Sequence, residues 1–113
     1  MDASCLFCRI VAGEIPASVV HETAETLAFR DINPQAPTHV VVIPKQHVAD
    51  AAALSTEPEL AAAVLAAGAA VAGAEGLDGG YRFVFNTGPG AGQTVFHAHL
   101  HVLGGRALTW PPG

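Results

Sequence analysis

The sequence predicts an α+β domain: a mainly antiparallel five-stranded sheet with one long helix and a short N-terminal helix. Three observations predict it. Five short runs rich in β-branched and aromatic residues are set off by Gly, Pro, Asn or polar turns, and most are joined too tightly for helical crossovers. One long stretch carries helical periodicity, with Leu60, Val64, Ala67 and Val71 at i, i+4, i+7 and i+11. No internal repeat or linker divides the 113 residues, so 1–113 reads as a single domain.

The elements follow in order. Leu6, Phe7, Ile10 and Val11 are spaced as one or two helical turns, with Ser4 as the expected N-cap and Gly13 and Pro16 as terminators. Two short strands, ASVVHET and TLAFRDI, flank a polar AETA turn. His39 to Ile43 reads HVVVI, a run for a strand buried on both faces, stopped by Pro44. A short helix is expected over Val48 to Leu54. The long helix should start behind a Thr56-x-x-Glu59 capping box and end before Gly76 as C′, with Leu77 packing back. Tyr81 to Phe85 and Val95 to Leu103 complete the strands, separated by a glycine-rich loop from Asn86 to Thr94.

Composition narrows the function. Apolar residues make up 50% and charged residues 13%, which supports a packed core. Five basic against ten acidic residues give a formal charge of −5, so neither nucleic acid nor a membrane surface is an expected partner. The apolar run from Leu60 to Ala74 is short and alanine-rich for a membrane span, and the start lacks a secretory pattern. Two cysteines make no disulfide framework, and a cytoplasmic setting is expected.

The chemistry concentrates in His97-Ala98-His99-Leu100-His101. In a strand, residues two apart share a face, so all three rings project together while Ala98, Leu100 and Val102 face a core. One histidine so placed is ordinary; three in alternation indicate a site, either metal-binding or nucleophilic and acid–base. The preceding loop, with Gly88, Gly90 and Gly92 followed by Gln93 and Thr94, offers main-chain N–H groups and side-chain donors suited to an anion such as phosphate.

The segment resembles the histidine triad motif, H-φ-H-φ-H-φ-φ. The match extends through Asp31-Ile-Asn-Pro-Gln-Ala-Pro-Thr-His39, Val-Ile-Pro-Lys-Gln-His47 and the tail ending Trp110-Pro-Pro-Gly113. The chain is similar over almost its whole length to the Hint branch, the histidine triad nucleotide-binding proteins. That resemblance implies a homodimer whose two sheets join into one. It also implies binding of a purine nucleotide such as AMP or GMP, and hydrolysis of nucleoside phosphoramidates through a nucleotidyl-histidine. His99 takes the nucleophile's position, with His101, His39 and Thr94 beside it in the catalytic set. Phe7, Ile10, Phe29, Asp31, Ile32, Asn86, Gly92, Gln93 and Thr94, with His99 and His101, match the nucleotide-binding positions. Asp31 stands at the ribose, and Gln93 and Thr94 at the phosphate or leaving group. For Ile10 and Ile32 a plain core role is an equal alternative.

Cys5-x-x-Cys8 is weak as a motif alone, and two isolated buried thiols are the simpler reading. Many bacterial members of the family resemble this pattern together with two histidines. That implies a structural zinc on Cys5, Cys8, His47 and His97, while catalysis requires no cofactor. Two other functions are to be weighed: a metallohydrolase using His97, His99 and His101 as ligands, and a nucleotide-binding regulatory module whose hydrolysis is incidental.

Overall fold

The computed structural model describes residues 3–113. Five strands, β1 (Val19–Glu22), β2 (Thr26–Arg30), β3 (Thr38–Pro44), β4 (Tyr81–Val84) and β5 (Leu100–Gly104), form one antiparallel sheet in the order β1-β2-β3-β5-β4. The helices are α1 (Leu6–Val11), α2 (Ala51–Leu54) and α3 (Pro58–Ala74), and a single 3-10 turn covers Pro89–Ala91. The expected α+β class and sheet are present.

Alternation along the strands divides the interior in two. Ala28, Val40, Val42, Leu100 and Val102 face α3 and pack with Val64, Ala67, Val71 and Leu77. Leu27, Phe29, Val41 and Ile43 face the other way and pack with Cys5, Phe7 and Cys8 of the α1 region. The HVVVI run is buried on both faces because α3 lies on one and α1 on the other. Gly68 lets α3 sit close: a Cβ there would fall 2.8 Å from both Leu100 and Phe83. The helix ends as expected. Leu77 N–H bonds Ala72 C=O at 3.0 Å and Gly76 N–H bonds Gly73 C=O at 3.2 Å, a Schellman closure around Gly76.

Three local expectations are corrected. Cys5, not Ser4, caps α1, its Sγ accepting the Cys8 N–H at 3.4 Å. The Thr56/Glu59 capping box does not form: α3 starts at Pro58 behind Glu57 with no side-chain cap, and Thr56 Oγ1 donates instead to Ala53 C=O. Proline suits that first helical position because it has no N–H to satisfy. The last strand starts at Leu100 rather than Val95. Its register against β3 pairs Val42 with Leu100, so the next hydrogen-bonding step meets Pro44, which has no N–H. Ala98 N–H turns away and bonds Val48 C=O at 2.7 Å.

Candidate functional site

Although His97 and His99 lie outside the regular strand, the alternation persists: Ala98 is buried on the α3 side, and the three rings lie on the α1 side. Phe7 stands against them edge-on, with its ring centroid 5.9 Å from His97 and 5.1 Å from His99; His99 and His101 are 4.9 Å apart.

Main-chain groups decide which nitrogen of each ring is free. His99 Nδ1 lies 2.8 Å from His97 C=O, an acceptor only, so Nδ1 carries the proton and Nε2 keeps its lone pair. Gln35 N–H, a donor only, points at His39 Nδ1 at 3.0 Å, so neutral His39 carries its proton on Nε2. That proton is donated to His101 Nδ1 at 2.8 Å, leaving the His101 proton on Nε2. Burial holds His39 below the usual histidine range, against the pull of Asp31 3.4 Å away. Burial, with the neighbouring rings of His99 and His39, pushes His101 down to about 4, so the relay is neutral at pH 7. His101 Nε2 is buried and has no hydrogen-bond partner among the described residues. An orphaned donor of this kind calls for a ligand acceptor.

His99 and His101 open onto a cavity of about 410 Å³. Of the residues expected around a nucleotide, Phe7, Ile10, Phe29, Asp31, Ile32, Asn86, Gly92, Thr94, His99 and His101 line it. Ile32 is fully exposed at the rim, which removes its core alternative. Gln93 differs from expectation. It is 4% exposed and outside the lining, and its amide is consumed by Ala49 C=O, Val95 C=O and Gly88 N–H. It braces the loop in which Gly92 takes φ +89°. His39 stands behind His101, also outside the lining. Sequence reasoning missed Leu6, Ile15, Pro16, Arg30, Val41 and Val95 of the wall, and the Gln35 amide. A larger cleft of about 550 Å³ around Tyr81, Arg82 and Arg106 has no histidine in its lining. Arg106 there donates to Gln35 C=O and Ala107 C=O.

His97 serves a second group. Its Nε2–H donates to Pro44 C=O at 2.8 Å, which turns the Nδ1 lone pair towards Cys5 Sγ at 3.4 Å, Cys8 Sγ at 3.6 Å and His47 Nδ1 at 3.2 Å. Cys8 Sγ lies 3.3 Å from His47 Nδ1, and all four donor atoms fall within 4.8 Å of one another. A tetrahedral ion with bonds of about 2.3 Å to sulfur and about 2.0–2.1 Å to nitrogen spaces its ligand atoms roughly 3.3–3.8 Å apart. The four side chains therefore fit a metal of the zinc type. His97, His99 and His101 do not converge on one point: their Nδ1 atoms face this cluster, a carbonyl and His39 respectively. The shared-metal arrangement is thus not formed.

The model of the HIT domain family matches residues 12–108. The chain belongs to the HIT domain family. A solved HIT family hydrolase from Legionella pneumophila is 56% identical to this HIT domain, with a TM-score of 0.92 over 96% of this chain and 99% of the other. A histidine triad nucleotide-binding protein from Candida albicans superposes with a TM-score of 0.82 at 33% identity, over 95% of this chain and 82% of its own. The 14 kDa zinc-binding protein of Zea mays is 48% identical, over 99% of this chain and 90% of the plant protein. No helix of the described HIT domain is long and apolar enough to cross a membrane.

Proposed function

We propose that this HIT domain is a purine nucleoside phosphoramidase that cleaves the P–N bond of AMP–amine compounds by way of a nucleotidyl-histidine at His99. One observation carries the reading: the His97 carbonyl takes His99 Nδ1–H and leaves the Nε2 lone pair for attack, on a ring 4.9 Å from that of His101, whose Nε2–H is orphaned. The hydrolase from Legionella and the nucleotide-binding protein from Candida support the reaction class and ligand.

The nucleoside lies among Phe7, Ile10, Phe29 and Ile32, with the Asp31 carboxylate accepting ribose hydroxyls. The α-phosphate takes the end lined by Asn86, Gly92 and Thr94, where His101 Nε2–H donates to a phosphoryl oxygen. His99 Nε2 attacks phosphorus as the P–N bond breaks, and the amine leaves with a proton taken from solvent, which the attacking water of the second step returns. The nucleotidylated ring is cationic, so the His97 carbonyl holds it more strongly than the neutral ring, a preference that favours the transition state. Water then attacks phosphorus, releasing the monophosphate and restoring neutral His99.

Cys5, Cys8, His47 and His97 would hold a structural zinc, a closed site that cross-links α1 to the reactive segment and supplies no catalytic group. The plant zinc-binding relative supports that assignment. The reading includes a homodimer, supported by the open sheet edge at β4 and its exposed Tyr81.

The test is turnover of adenosine 5′-phosphoramidate with rapid acid-free quenching and peptide mapping. Release of AMP with a transient adenylyl group on His99 is expected. Absence of P–N cleavage, or an adduct on another residue, overturns the reading.

A further inference from the structure

We propose that a divalent metal in the Cys5–Cys8–His47–His97 cluster sets the affinity of the adjoining cavity for nucleotide, with Phe7 as the residue that transmits it. The proposal rests on the nucleotide reading of the cavity given above. It adds a thermodynamic coupling between two sites that otherwise serve separate ends.

The argument starts with α1. At six residues it is too short to persist by its own hydrogen bonds, so it depends on tethers. Its cap is a thiol, a weaker acceptor than the Ser, Asp or Asn usual at that position, and only Phe7 and Cys8 of its residues are buried. Yet Leu6, Phe7 and Ile10 form one side of the cavity. The wall of the nucleotide site is therefore held by the packing of Phe7, Ile10 and Val11 on the sheet and by what grips Cys5 and Cys8.

Those two residues bracket Phe7, whose ring meets Phe29 at 5.6 Å, His97 at 5.9 Å and His99 at 5.1 Å. A cation bonds all four donors of the cluster at once. Without it the thiol protons can link the donors only in pairs and weakly, Cys5 Sγ with His97 Nδ1 at 3.4 Å and Cys8 Sγ with His47 Nδ1 at 3.3 Å. Losing the ion thus exchanges four coordinate bonds for weak hydrogen bonds at the thiols and loosens the helix that presses Phe7 against the sheet. His97 stays fixed through Pro44 C=O, and its own carbonyl continues to orient His99. Metal loss is accordingly expected to weaken nucleotide binding more than it disturbs the nucleophile.

Linkage makes the proposal measurable without turnover. If the metal tightens AMP by some factor, AMP must tighten the metal by the same factor. Cobalt(II) is the probe, because thiolate coordination gives it visible and near-ultraviolet absorption. AMP dissociation constants are measured by calorimetry on metal-free and cobalt-loaded protein, and cobalt affinity with and without saturating AMP, with far-ultraviolet circular dichroism as the check on folding. A reciprocal change of about tenfold is expected in both. Phe7→Leu should keep the thiolate–cobalt absorption and bring the factor down towards one.

Equal AMP affinity in folded metal-free and loaded protein overturns the proposal. If the metal-free chain unfolds, a factor undiminished in Phe7→Leu overturns it too, since the coupling would then be global folding. Absence of thiolate–cobalt absorption removes the metal assignment. AMP binding to neither form removes the nucleotide reading instead.

Discussion

The two faces of the sheet are made by the same strands, yet they do different work. The α3 face packs Val, Leu and Ala side chains with Phe83 and Phe85 beside them, closed by a helix of 17 residues whose Gly68 lets it approach closely. The α1 face is covered by six helical residues, and the uncovered part is the cavity with His99 and His101 at its edge. A long helix spends a sheet face on stability. A short one leaves room for a ligand, and polar side chains can remain there because main-chain groups satisfy them.

That contrast can be broken from either side. The largest effect is expected at His99→Gly, with kcat/KM for adenosine 5′-phosphoramidate falling at least about 10⁴-fold while circular dichroism and thermal midpoint stay near wild type. A variant that turned over normally would place the chemistry elsewhere. His101→Leu removes the Nε2–H donor and should lower kcat about 10²-fold, with a smaller change in AMP affinity measured by calorimetry. On the opposite face the pattern reverses. Val64→Ala should cost about 2 kcal/mol in urea unfolding and leave KM unchanged, because Val64 is fully buried away from the cavity. Gly68→Ala should cost about 1–2 kcal/mol, since the new methyl group meets Leu100 and Phe83 inside contact distance.

A pH series sharpens the comparison further. His101 is held down to about 4 and His39 is also lowered, so between that value and the unfolded value near 6.5 the unfolded chain binds more protons than the folded one. Stability is therefore complete above about pH 6.5 and declines as pH falls towards 4. His101→Gln should flatten part of that slope in denaturant titrations, whereas Val64→Ala should shift the whole curve without changing its shape.

Much of this molecule was legible in residue order. The stripe Leu60–Val64–Ala67–Val71 located α3, HVVVI located the central strand, and Gly76-Leu77 located the helix end. The histidine alternation placed the three imidazole rings opposite a core of Ala98, Leu100 and Val102. Legibility failed where two neighbours competed for one role. Ser4 and Cys5 both stand where a cap could form, and Thr56 had Ala53 C=O within reach as an alternative to capping α3. The strand from Val95 read as continuous because its side chains alternate to Leu103. Its pairing depended on Pro44, more than fifty positions earlier.

The sequence by itself determined the chemical inventory and its phase: which rings share a side, where glycine permits the loop, and which segments are apolar on both faces. Periodicity and residue type carry that information locally. Only the tertiary structure decided which nitrogen of each ring is free, that Gln93 braces the loop rather than lining the cavity, and that His97 turns away from its two companions towards the thiols. Those outcomes rest on the carbonyls of Pro44 and His97 and the amide of Gln35. Every residue has such main-chain groups, so only folding selects which of them a distant imidazole meets.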